Sequence, residues 1–198
     1  MEISASLVKE LRQKTNAGVM ECKTALQESN GDVKAAIQIL RKRGLAVAEK
    51  KAHREVPEGV VASYIHLGGK IGVLVEVNCE TDFVARNEIF RDFVKDVTMH
   101  IAAMNPKYHR REDVPPEVVE REKEKYRAEV MDKPSHIVEK IVEGKMNKFF
   151  FAEKCLLEQP FVKDPDVTVG HYLKQKIGEL RENIVIRRFV RYSMGEDE

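Results

Sequence analysis

Six histidines (His53, His66, His100, His109, His136, His171) and three cysteines (Cys22, Cys79, Cys155) are the residues of this chain best suited to metal or nucleophilic chemistry. Their spacing supports neither. No two histidines stand in an H-E-x-x-H arrangement, and no two cysteines stand in C-x-x-C spacing for zinc or redox work. Each histidine is expected in a surface or packing role, and the cysteines as buried thiols. Gly68-Gly69-Lys70 has the end of a phosphate-binding loop but not its beginning. A Walker A loop needs a glycine where Tyr64 stands, and a Ser or Thr for Mg²⁺ where Ile71 stands. G-x-G-x-x-G and G-x-S-x-G are also missing. The chain is therefore not expected to be an enzyme, nor to hold a metal or cofactor.

One stretch does not fit a purely structural role. In NCETDFVARN (Asn78–Asn87) a strand-like run closes and an amphipathic segment opens, and a large Phe83 stands beside Asp82 at the turn. Two readings are open. Thr81 or Asp82 caps the following helix while Phe83 staples it to the sheet. Alternatively the core aromatics come from Phe90 and Phe93, Asn87 caps a later helix, and Phe83 lies exposed as an anchor for a partner's pocket.

The elements that must position this turn follow from hydrophobic periodicity. Ser4 is placed to cap a helix with Leu7, Val8 and Leu11 on one face. After Asn16-Ala17-Gly18 a second helix carries Val19, Cys22 and Leu26, and Asn30-Gly31 stops it. Asp32 caps a third, with Val33, Ala36, Ile37 and Leu40 inward, which Gly44 is expected to end. So small a bundle is marginal by core size, which favours a surface groove or loop as its use. The domain boundary is expected near Arg54, giving residues 1–54 as an N-terminal three-helix module with linker and 55–198 as the core domain. Two β-branched runs from Gly59 to Asn78 then flank Gly68-Gly69 as a two-residue hairpin turn. Ile71, Val73, Val75 and Val77 share one face, to be covered by the helix of Asn87–Met104 through Phe90, Phe93, Val94, Val97, Ile101 and Met104.

Val114 to Lys148 is the most charged part of the chain. It reads as an antiparallel helical hairpin split at Asp132–Ser135, with Val119, Tyr126 and Val130 facing Ile137, Ile141 and Val142. A solvated arm and an interaction arm are equally compatible with that pattern. A helix over 169–180 and a strand over 183–194 complete an α+β core.

Composition limits the partners. Lys+Arg 34 against Asp+Glu 33 gives a net charge of +1, too little to provide a global basic field, so direct nucleic-acid binding is not expected. No apolar run is long enough to span a bilayer, and the N-terminus carries charges where a signal peptide needs apolar residues, so no membrane association and a cytoplasmic location are expected. The competing reading is a ribosome-associated or RNA-binding scaffold using RKRGLAVAEKKAHR and YHRR as local basic patches.

EVNCETDFVAR (Glu76–Arg86) and LRQKTNAGVMECKTAL (Leu11–Leu26) resemble, in order, the central and N-terminal signatures of the elongation factor Ts family. EGKMNKFF and EQPFV extend the likeness over essentially the whole chain. Asn16 departs from it, standing where that family commonly has Gly. The resemblance implies a UBA-like three-helix module, an α+β core and a coiled-coil hairpin. It also implies exchange of guanine nucleotide on elongation factor Tu, in its GDP-bound and nucleotide-free states. Thr81, Asp82, Phe83 and Val84 would then enter the GTPase domain, with Arg12, Val19, Met20 and Lys23 against the same domain and His66 facing another. Longer members carry two related core halves, whereas YIHLGGKIGVLVEVN occurs here once, which implies a two-fold homodimer.

Overall fold

The computed structural model describes residues 3–15, 17–131 and 134–196, with nothing said of the side chains at 135 and 136. The expectations placed on Asn16, Asp132, Lys133 and the His136 side chain fall outside these residues. The chain forms two compact units, one of Met1–Gly59, Asn78–Arg91 and Leu173–Val185, the other of Val60–Val77, Asp92–Tyr172 and Ile186–Glu198.

Three helices open the first unit: α1 (Ala5–Thr15), α2 (Val19–Glu28) and α3 (Val33–Lys51). Ser4 Oγ accepts the Leu7 N–H at 3.3 Å, and Asp32 accepts from the Lys34 and Ala35 N–H groups, so both expected caps are in place. Val8, Leu11, Cys22, Ala25, Leu26 and Ala36 form the core of the bundle. Val19 is not among them; it starts α2 half-exposed, before the helix turns its inner face toward Cys22.

Gly44 does not end α3. The helix runs on to Lys51 because a glycine inside a helix costs only about 1 kcal/mol and here lets another backbone approach. That backbone belongs to the helix carrying Gly178, where an added Cβ would lie 2.6 Å from the Gly44 Cα.

The second unit is built on strands β1 (Glu58–Ile65), β2 (Ile71–Cys79) and β5 (Ile184–Ser193), in the order β1-β2-β5. Val73, Val75 and Val77 are buried on alternate positions of β2, as its pattern predicts. The β1–β2 connection is longer than the expected two residues. His66 N–H bonds to the Ile71 carbonyl, and Leu67–Lys70 form a four-residue loop in which Gly68 (φ 89°) and Gly69 (φ 70°) take left-handed backbone.

After β2 come α4 (Asp82–Arg86) and α5 (Glu88–Met104). Phe93, Val94, Val97 and Ile101 of α5 are buried; Met104 is exposed, where the helix ends before Asn105 turns into positive φ. His100, also on α5, is buried and fills a packing role. Its Nδ1 accepts the Val162 N–H, so its Nε2 donates to Gln159 Oε1 at 2.9 Å, and burial holds its pKa below the usual imidazole value.

α6 (Pro116–Ala128) and α7 (Ser135–Lys145) form the helical hairpin, with Val130, Val142, Met146, Phe150 and Cys155 in its core. Ile137, expected in the stripe, is exposed. Arg127 bonds Glu139 (2.9 Å) across the hairpin and Glu120 (2.6 Å) on its own helix. A π-helical turn at Met146–Phe151 leads into α8 (Ala152–Lys154). A small antiparallel pair, β3 (Pro160–Phe161) and β4 (Asp164–Thr168), precedes α9 (Val169–Leu180), which runs toward β5. Phe161 stacks on Tyr172 with centroids 4.5 Å apart, and the Tyr172 hydroxyl donates to Asp96. All three cysteines are free and buried. No helix among the described residues is long and apolar enough to cross a membrane.

The α3–α9 crossing is asymmetric in its tolerance. A Cβ on Gly44 would meet the Gly178 Cα at an ordinary 3.8 Å. Thermal melts are expected to show Gly44→Ala stabilised by about 0.5–1 kcal/mol and Gly178→Ala destabilised by about 1–3 kcal/mol. Equal melting of the two variants would refute the close approach as the reason for the glycines.

Candidate partner-binding surface

The turn between β2 and α5 is held at every polar atom of Thr81. Its backbone is extended (φ −132°, ψ 156°) and its Oγ1 accepts the Val84 N–H, making it the N-cap of α4. Its carbonyl accepts the Ala85 N–H and the Cys79 thiol. Its N–H donates to Glu182 Oε2 (3.0 Å) and its hydroxyl to Glu182 Oε1 (2.6 Å). Since the hydroxyl proton goes to Glu182, the oxygen is free to accept from Val84.

Phe83 is the second residue of α4, and 83% of its surface is exposed. The expectation that it staples the helix to the sheet is overturned. Residues two apart on a helix point about 200° away from each other, and here Ala85 takes the buried side. Phe90 and Phe93, both fully buried, carry the aromatic load of the core. Asn87 leaves helical geometry and its Oδ1 accepts the Ile89 N–H, so the chain breaks between α4 and α5. Leaving a phenyl ring in water forgoes about 2–3 kcal/mol of burial, which a turn with only a structural role has no reason to do. Asp82 is paired with Arg86 at 3.0 Å, an exposed pair that a partner can break at small cost.

The neighbouring residues mirror the Thr81–Glu182 contact. Glu80 Oε1 accepts the Asn183 N–H at 2.6 Å, and Asn183 Nδ2 donates to the Ala52 and Arg54 carbonyls. Burial opposes the charge of Glu80, but the Asn183 N–H, Arg54 and Lys51 outweigh it and hold the carboxyl below its usual range. Cys79, behind the turn, is pushed up to about 11 by burial and then by Glu182, so it is a thiol and no nucleophile.

Arg181, the residue before Glu182, bonds Glu21 on α2. Glu21 also accepts the Gly18 N–H, closing the start of that helix. Beside it Met20 is 69% exposed, and Val19, Lys23 and Arg12 are exposed as well. Thr81–Val84 and the first turn of α2 thus meet one short corner, Arg181-Glu182-Asn183. His66 lies in the other unit at the tip of the β1–β2 hairpin, its Nδ1 3.0 Å from the Tyr64 hydroxyl. Glu80, Arg181, Glu182 and Asn183 were not foreseen from sequence, because polar residues a hundred or more positions apart carry no local signal of their pairing. Among the described residues no group of three or more His, Cys, Asp or Glu could hold a metal ion.

A family model described as "Elongation factor TS" matches residues 2–196. The chain belongs to the elongation factor Ts family. It is 60% identical to "Elongation factor Ts" of Geobacter sulfurreducens, covering 99% of this chain and 91% of that protein. It is 61% identical to that of Alkaliphilus oremlandii with the same coverage. It is 57% identical to that of Thermosipho melanesiensis, over 98% of this chain and 100% of that protein. Membership of the elongation factor Ts family gives the chain a role as a translation elongation factor.

The two phenylalanines separate binding from packing in one experiment. Phe90→Ala is expected to cost about 3–5 kcal/mol in thermal or urea unfolding. Phe83→Ala should stay within about 0.5 kcal/mol of the parent. Comparable losses would mean that Phe83 is core.

Proposed function

We propose that this chain binds elongation factor Tu in its GDP-bound and nucleotide-free states and speeds GDP release, remaining bound until GTP enters. The observation that carries this reading is the exposed Phe83 on a turn anchored through every polar atom of Thr81. An exchange factor must prefer the nucleotide-free or distorted partner to the occupied one, and the preference is reciprocal. Such a preference needs a rigid projection, because a soft one would adapt equally to both states.

Phe83 acts as an apolar wedge that shifts a helix of the GTPase. Asp82 competes by charge or hydrogen bonding near the groups that hold the partner's Mg²⁺, weakening the metal's bridge to the phosphates. Thr81 and Val84 set the turn, and Arg12, Val19, Met20 and Lys23 of a UBA-like module bind the same domain. His66 faces a second domain of the partner, and the α6–α7 coiled coil extends from the core. No bond is made or broken by this protein, it works in the cytoplasm, and no nucleic acid is contacted directly.

The basic stretches that favour an RNA-binding scaffold are partly neutralised within the fold. Arg43 pairs with Glu28, Lys51 and Arg54 with Glu80, Arg110 with Asp113, and Arg111 with Glu158.

The chain also forms a two-fold homodimer through its sheet. Val61, Leu74 and Val190 are exposed around a hollow also lined by Val75, Phe189 and the Glu76–Arg188 pair (2.7 Å). An exposed apolar face of this kind suits an isologous interface.

Stopped-flow release of a fluorescent GDP analogue from elongation factor Tu tests exchange. Strong acceleration by the parent chain is expected, with about 2–4 kcal/mol of its binding lost in Phe83→Ala. A folded parent that leaves release unchanged would sink the exchange reading. Sedimentation tests the dimer: Leu74→Arg should yield monomers, and a parent that sediments as a monomer at micromolar concentration overturns the sheet pairing.

A further inference from the structure

Resting on the exchange reading above, we infer that the Arg181-Glu182-Asn183 corner is the positioning element of the exchange surface, with Glu182 holding the Phe83 turn and Arg181 aligning the start of α2 with it. A helix of five residues cannot hold its own geometry, since nucleation consumes more order than so few bonds return. α4 therefore takes its orientation from outside. The Thr81 N–H and hydroxyl both end on Glu182, while the Asn183 N–H returns to the Glu80 carboxylate. Two carboxylates each accept the backbone N–H beside the other, fixing the turn in position as well as conformation.

Arg181 supplies an independent observation. It follows α9 with φ 61°, its N–H bonded to the Ile177 carbonyl at 2.9 Å. This is the left-handed position after a helix where glycine is most comfortable. An arginine there accepts backbone strain. What its side chain gains is an exposed ion pair with Glu21, of a kind that adds little to stability. Strain kept without a return in stability points to a functional use. The use at hand is alignment, because Glu21 is the residue after Met20 and closes the first turn of α2.

The test measures GDP-analogue release over a range of exchange-factor concentrations, with melting curves for every variant. Glu182→Gln keeps the size of the side chain but presents an amide donor to one of two Thr81 donors, so Phe83 is held less firmly. Its maximal release rate is expected to fall roughly 10-fold, a magnitude typical of small misplacements of a working group. Arg181→Gly should melt at or above the parent's temperature and require several-fold more protein for half-maximal release. Glu21→Gln combined with Arg181→Gly should be no worse than Arg181→Gly alone. An active parent with both variants equally active overturns the positioning role and leaves the exchange reading intact. Loss of activity only in proportion to lost folding also overturns it. If Glu182→Gln does not fold, Arg181→Gly decides alone, since glycine suits that backbone. An inert parent removes the exchange reading and this inference with it.

Discussion

Two glutamates exchange backbone partners within the first unit: Glu80 receives the N–H of Asn183, and Glu182 receives the N–H of Thr81. Partly buried carboxylates are costly unless bonded, and backbone N–H groups at the ends of strands and helices are costly unless satisfied. Here each need meets the other. The same bonds decide where α4 begins, where β5 begins and how the segment after α3 is held, because Asn183 also reaches the carbonyls of Ala52 and Arg54. Most of what distinguishes this surface from an ordinary strand-to-helix turn depends on that exchange.

Apolar residues supply the platform and polar ones supply the placement. The bundle core of Val8, Leu11, Cys22, Ala25, Leu26 and Ala36 shows no polar member, and Val73, Val75 and Val77 make an equally plain sheet face. Such packing fixes which elements form but tolerates small shifts between them. Hydrogen bonds to charged groups are shorter and stronger than neutral ones, and residues 80–81 and 181–183 are tied together by several of them. Phe83 can then stay in water without taking the turn with it.

Much of the fold was legible in the residues themselves. Alternation in β2, the three-and-four spacing of α5 and the caps at Ser4 and Asp32 are local signals, and each element formed where its pattern stands. Gly44 misled because a glycine inside a helix and a glycine after one look alike; only the approach of Gly178, far along the chain, distinguishes them. Phe83 stayed ambiguous because exposure depends on which neighbour takes the buried side. The β3–β4 pair and the π-helical turn at Met146–Phe151 have too few residues to show a period. In the candidate surface, Asp82 and Phe83 stood out as an odd pairing of types, whereas Glu182 and Arg181 look like ordinary surface charge until the chain is folded.

The first unit is assembled from three separate stretches, 1–59, 78–91 and 173–185. The bond from Thr81 to Glu182 closes a loop of about a hundred residues, a slow kind of contact to form. During synthesis the α1–α3 bundle can assemble early from neighbouring segments. The turn that carries Phe83 must wait for Glu182, about a hundred residues later, before it is locked. Until Glu182 has been made, the exposed ring of Phe83 sits on a turn without the contact that locks it.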